Sequence, residues 1–181
     1  RIQKKKQKQK GFTLIELLLV VGIMAVGAII AYYTLPKVQS TSNANTEATL
    51  VNTLAAGIKN VYSGTNNFRT LTNKVLIDAK AVPDKMLTTT ANELVNSFGG
   101  QVTITPTKLG TVAVDNTAYQ IESTNIPDAE CTKIAAGVGN NFGEVSVNGT
   151  KVRTYPSTEP IDPAATAAAC VATANTIILI G

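Results

Sequence analysis

The sequence predicts an α+β fold, a long N-terminal α-helix packed against a mostly antiparallel β-sheet. Three features predict it. A helical pattern runs from about Phe12 to Tyr62, short alternating segments separated by turn residues follow Gln101, and the 181-residue chain ends in the β-branched apolar run Thr176-Ile177-Ile178-Leu179-Ile180.

The first element opens on a charge asymmetry. Six of the 16 basic residues (Arg1, Lys4, Lys5, Lys6, Lys8 and Lys10) lie in the first ten positions. Beyond residue 11, the remaining 10 basic residues face 12 acidic ones, so the overall +4 belongs to one end of the chain. A nucleic-acid-binding face needs basic residues spread over a folded surface, and this distribution argues against one.

After Gly11 the chain turns apolar. The 17 residues from 17 to 33 carry no charge, and counting from Phe12 gives 22 residues interrupted only by Glu16. That length suits a membrane-spanning helix. The basic start favours a cytoplasmic N-terminus with everything beyond Tyr33 exported, and Tyr32 and Tyr33 fit the far interface. A secretory signal would be followed by a small-residue cleavage site, which residues 31–37 do not offer. Glu16 is what a plain anchor does not explain: it either snorkels to the headgroups or awaits a positive group from another chain. Gly22 and Gly27 lower helix propensity and allow close helix packing, while Pro36 removes a backbone bond. Local unwinding between Gly22 and Pro36 is a further expectation.

The second half of the helix is amphipathic. Leu50, Leu54, Ile58 and Val61 recur at helical spacing beside Val51 and Ala55, the polar run at residues 41–46 suggests a local break, and Ser63-Gly64 ends the pattern. Short helices are expected at residues 74–80 and 90–96. Strands are expected at residues 101–105, 111–114 and 118–121, the last two flanking an Asp115-Asn116-Thr117 turn. A hairpin should join residues 144–147 to 151–155 through Asn148-Gly149. Pro127 opens a helix whose buried face carries Cys131, Ile134, Ala135 and Val138, and the final apolar run suits a central strand.

The chemistry available is narrow. No histidine is present, which excludes a histidine base or a His-containing metal site. Asp128 and Glu130 are two positions apart and face different ways on a helix, as do Cys131 and Lys133. The acidic residues have no oxygen-ligand spacing suited to calcium. No catalytic residues, cofactor or metal are expected. Cys131 and Cys170 would form one disulfide in an exported domain, or remain two buried thiols in a cytoplasmic one.

Lys10-Gly11-Phe12-Thr13-Leu14-Ile15-Glu16 followed by an apolar stretch resembles the class III signal of type IV pilins and secretion pseudopilins. The resemblance implies that a prepilin peptidase cuts between Gly11 and Phe12 and methylates Phe12. It also implies that Glu16, the family's charged position in the apolar segment, pairs with the new N-terminus of a neighbouring subunit. Axially staggered helices about four residues out of step, roughly 6 Å at helical rise, would bring the two together. Pro36 lies a few residues beyond the place where many members carry a proline, so the same bend is not implied.

The implied organisation is a basic leader over residues 1–11, a transmembrane and fibre-core half-helix over 12–35, and an amphipathic half-helix over 36–62. A globular head follows over 63–181, with a disulfide-bounded region at 131–170 that resembles the part of pilins carrying subunit contacts. Tyr62-Ser63-Gly64-Thr65-Asn66-Asn67-Phe68 and Ala129-Glu130-Cys131-Thr132-Lys133-Ile134 resemble type IVb pilins, the group that includes bundle-forming and conjugative thin pili, whereas Phe12 and the 11-residue leader resemble type IVa. The family implies a major pilus subunit, held in the bacterial inner membrane as a precursor and then polymerised into an extracellular fibre for adhesion, aggregation or mating contact. The alternative is a minor pilin or type II secretion pseudopilin. Implied partners are further pilin subunits, the prepilin peptidase, an assembly platform, an ATPase and a secretin.

Overall fold

Helix α1, Leu14–Val61, dominates the architecture of the computed structural model. The structure describes residues 13–181 apart from 66, 112, 113 and 157, and for residues 31–39 it describes the backbone alone. Two units divide the chain, Arg1–Gln39 and Ser40–Gly181, and α1 contributes to both.

The polar run at residues 41–46 does not break α1. Thr46 Oγ1 donates to the Ser42 carbonyl at 3.0 Å, Thr49 to Asn45 at 2.9 Å and Thr53 to Thr49 at 2.8 Å. The hydroxyls therefore bond back into the helix and do not compete with it. The helix ends at the turn where Ser63 N–H reaches the Asn60 carbonyl and Thr65 N–H the Tyr62 carbonyl.

Leu50, Val51, Leu54, Ala55 and Ile58 bury their side chains in the core of the second unit as the apolar spacing predicts, but Val61 remains 37 % exposed and Tyr62 takes the last buried position. Truncating a fully buried residue such as Leu54 or Ile58 to alanine would cost about 2–5 kcal/mol. The same helix buries Glu47 completely, with Oε2 accepting the Ser97 N–H at 2.8 Å. Gly57 permits the closest approach along this segment: a Cβ there would lie 2.2 Å from the Ala81 carbonyl oxygen.

Helix α2, Asn73–Asp78, is capped by Thr72, whose hydroxyl accepts the Val75 N–H, and a 3₁₀ turn, Asp84–Met86, follows. The helix expected at residues 90–96 is instead a turn leading into a short strand, β1, Leu94–Val95. Asn92 there has a φ of +66°, which interrupts a helix, and fully buried Leu94 pairs with Val102. Strand β2, Gln101–Thr107, pairs antiparallel with β3, Ala118–Ile126. Both exceed the lengths the sequence pattern suggests, and the separate strand expected at residues 111–114 is not formed by its described ends. Thr111 and Val114 lie in the connection, while residues 112 and 113 are outside the described residues.

Helix α3, Asp128–Gly139, buries Cys131, Ile134, Ala135 and Val138 as expected. Strands β4, Glu144–Val147, and β5, Thr150–Arg153, form the predicted hairpin, with β5 ending two residues earlier than the alternation suggests. Helix α4, Pro163–Ala169, which is not among the elements expected from the sequence, has Asp162 as its N-cap, accepting the Ala164 N–H, and Pro163 at its start. Strand β6, Asn175–Ile180, lies between β3 and β4, so the end of the chain closes the middle of the sheet. Among the described residues the sheet has six strands in the order β1-β2-β3-β6-β4-β5, all antiparallel. The α+β expectation is met, with the second half of α1 supplying the stripe that covers the sheet.

Candidate assembly and processing site

The N-terminal turn of α1 is built around Thr13 and Glu16. Thr13 donates both its backbone N–H and its hydroxyl to Glu16 Oε2, each at 3.0 Å, while Glu16 N–H approaches Thr13 Oγ1 at 3.4 Å. This reciprocal arrangement is a capping box, which satisfies amides that a helix start leaves unpaired. Its sequence signature, Thr13-Leu14-Ile15-Glu16, is legible as Thr-x-x-Glu, yet reading Glu16 only as an intermolecular partner overlooks Thr13. Both bonds converge on Oε2, so the cap uses one carboxylate oxygen.

From Leu14, 79 % exposed, to Ile30, 58 % exposed, the large apolar side chains of the first unit face outward. Glu16 is the one charged residue among residues 14–30. Gly22 and Gly27 lie in this segment, and a Cβ at either would meet nothing within 4 Å. Packing within the chain therefore does not require these glycines. Helix α1 continues across Pro36, whose side chain is outside the described residues, as are Gly11 and Phe12. Among the described residues, no helix is long and apolar enough to cross a membrane.

The second unit carries the other predicted feature. Cys131 and Cys170 form a disulfide, 39 positions apart in sequence, that ties α3 to the end of α4. This choice between the two cysteine readings places residues 131–170 under one covalent clip. Lys133, on the same helix as Cys131, donates from Nζ to Ser40 Oγ at 3.0 Å and Thr41 Oγ1 at 3.1 Å, holding α3 to this part of α1. Glu144 performs a similar task on the sheet: Oε1 accepts the Gly110 N–H and Oε2 meets Lys151 Nζ at 3.0 Å.

Residues 41–181 match the family described as PilS N terminal, and residues 6–32 match the prokaryotic N-terminal methylation motif. The major structural subunit of bundle-forming pilus from Escherichia coli O127:H6 (strain E2348/69 / EPEC) is 28% identical, covering 94% of this chain and 92% of that protein. Its counterpart from Escherichia coli O111:H- is 27% identical over the same shares. In fold, the chain is similar to the type IV b pilin from Salmonella typhi, with a TM-score of 0.60, 21% identity, and coverage of 75% of this chain and 97% of that one. It is also similar to TcpA, a type IV pilin from Vibrio cholerae El Tor biotype, with a TM-score of 0.54, 15% identity, and coverage of 77% and 99%. A methylation motif at the start of the apolar helix, followed by a family match over the entire globular unit, makes this chain a type IV pilin of the PilS family.

Proposed function

We propose that the chain is the major structural subunit of a type IV pilus, polymerising through α1 into an extracellular fibre. The observation that carries this reading is the contrast within α1: residues from 40 onward supply a buried stripe to the globular core, whereas residues 14–30 expose large apolar side chains. A soluble monomer gains nothing from such a surface; lipid and a bundle of identical helices both cover it. The bundle-forming pilus subunits of Escherichia coli, similar along nearly the whole chain, support the major-subunit assignment.

In this proposal the precursor sits in the inner membrane through residues 12–35, with basic residues 1–11 on the cytoplasmic side. A prepilin peptidase cuts between Gly11 and Phe12 and methylates the new amine. A platform, an ATPase and a secretin then move subunits from lipid into the fibre. The Phe12 ammonium is costly to bury without a counter-charge, and Glu16 of an adjacent subunit supplies it. The cap on Oε2 leaves the second carboxylate oxygen to accept that ammonium, so capping and pairing are compatible. Gly22 and Gly27 give adjacent helices room for close approach. The protein's work is structural, and adhesion, aggregation or mating contact would be built on the fibre surface.

Abundance in surface fibres tests the assignment. Shearing the fibres and quantifying their subunits should find this chain dominant; a trace amount would assign it to the minor pilins or pseudopilins.

A further inference from the structure

Asn148-Gly149 forms the β4–β5 turn with φ values of +50° and +81°. Asparagine followed by glycine is chemically exposed, because the glycine nitrogen can approach the asparagine side-chain carbonyl without hindrance from a Cβ. Here the carboxamide is held at both ends. Asn148 Nδ2 donates to the Ala169 carbonyl at 3.0 Å and to Asn175 Oδ1 at 2.7 Å, while Asn148 Oδ1 accepts the Thr176 N–H at 2.9 Å. Asn175 is fully buried and donates in turn to the carbonyls of Ile126 and Ala172 at 3.0 and 2.7 Å. Ala169 immediately precedes Cys170, whose disulfide to Cys131 fixes the carbonyl that Asn148 grips.

We propose that Asn148 is a modification site gated by this clasp, deamidating when the disulfide-bounded segment opens and resisting deamidation while it is closed. The Gly149 backbone nitrogen attacks Asn148 Cγ and a carbon–nitrogen bond forms. The Cγ–Nδ2 bond then breaks, and ammonia leaves with the proton from the attacking nitrogen. Water opens the resulting succinimide at either carbonyl, giving aspartate or isoaspartate; the net change is amide plus water to acid plus ammonia. Turning Cγ toward Gly149 requires giving up the three hydrogen bonds of the carboxamide. At ordinary net strengths, their loss corresponds to roughly a 100-fold suppression of the reactive arrangement. The mark is one-way. An aspartate at 148 has no amide hydrogens to offer Ala169 and Asn175, and its carboxylate would face two acceptors.

The test is a time course of the full chain at mildly alkaline pH, with the disulfide intact or reduced by a thiol, beside a synthetic peptide of residues 144–153. Peptide mass spectrometry reads amide-to-acid conversion at Asn148, with Asn140 and Asn141 as internal comparisons. The oxidised chain should deamidate on the order of 100-fold more slowly than the peptide, and reduction, which frees the Ala169 side of the clasp while Asn175 and Thr176 stay in β6, should raise its rate several-fold. Asn175→Ser with the disulfide intact should raise the rate several-fold by removing the buried amide that receives Asn148 Nδ2. Should that variant not fold, comparison of the oxidised and reduced chains still decides. An oxidised chain that deamidates within a few-fold of the peptide overturns the protection, and a reduced chain as slow as the oxidised one overturns the gate.

Discussion

Thr13 and Glu16 close a reciprocal cap at the start of α1, with both Thr13 donors 3.0 Å from Glu16 Oε2. Glu16 thus has a task inside its own subunit, and two substitutions separate this cap from the proposed pairing with a neighbour's Phe12. Glu16→Gln keeps an oxygen to accept the Thr13 donors but carries no charge, whereas Glu16→Ala loses both. Alanine should weaken the helix start by about 1 kcal/mol. Both variants should accumulate in the membrane, with fibre yield falling roughly 100-fold or more, because an unpaired ammonium in an apolar bundle costs about 3–5 kcal/mol. Comparing membrane-held with sheared subunit gives the answer; wild-type fibre yield from Glu16→Gln would make capping the whole role.

The glycines divide by where their space is used. A Cβ on Gly100 would sit 1.8 Å from the Thr124 carbonyl oxygen, backbone that cannot yield cheaply. Gly100→Ala should destabilise the globular unit by about 3 kcal/mol or more, seen as a lowered denaturation midpoint. Gly22→Ala and Gly27→Ala meet no atoms within 4 Å. They should leave that midpoint unchanged and raise local helix propensity by about 1 kcal/mol, while reducing fibre yield through lost helix–helix contact.

Tyr119 provides an alkaline signature. Its ring packs edge-on to Phe68 and Phe142, and the buried hydroxyl has no hydrogen-bond partner among the described residues. Burial pushes the phenol from 10.0 up to about 12. The folded chain therefore holds this proton after the unfolded chain has released it. The stabilising contribution is fully present below pH 10.0 and lost as pH rises toward about 12. Tyr119→Phe should flatten that part of the stability profile and, by removing an unpaired hydroxyl, be neutral or stabilising by up to about 1 kcal/mol near neutrality. Denaturation measured across the alkaline range, beside a phenolate absorbance titration, checks both parts.

The Cys131–Cys170 bond closes a loop with a sequence separation of 39. On loop entropy its removal by Cys131→Ala with Cys170→Ala should cost about 4 kcal/mol. Chemical denaturation of the double variant against the oxidised parent measures it, and an unchanged midpoint would count against the clip as a stabilising element.

Much of this architecture was legible because local and tertiary preferences agree. The Leu50, Leu54 and Ile58 stripe, the Asn148-Gly149 hairpin and the β-branched final strand each carry a period or turn that survives in the fold. The failures have local causes. Residues 90–96 have helical composition, but pairing of Leu94 with Val102 and the left-handed Asn92 favour a turn and strand. Residues 41–46 look like a break, yet the Thr46 hydroxyl bonds to the Ser42 carbonyl and the Asn45 carbonyl takes the Thr49 hydroxyl within a continuous helix. Glu47 carries no sequence mark of burial, since its partner, the Ser97 N–H, lies 50 positions away. At the site, the Thr13-Leu14-Ile15-Glu16 spacing is itself a capping signature, so the intrasubunit role of Glu16 is carried by the sequence beside the resemblance that points to a neighbour.

Intact mass and N-terminal sequencing of subunits from sheared fibres decide whether this chain is processed and polymerised as proposed. One dominant species is expected, which begins with N-methylated Phe12, lacks residues 1–11 and carries oxidised Cys131 and Cys170. Fibres whose dominant subunit retains the basic leader, begins at another residue, or is a different chain would contradict it.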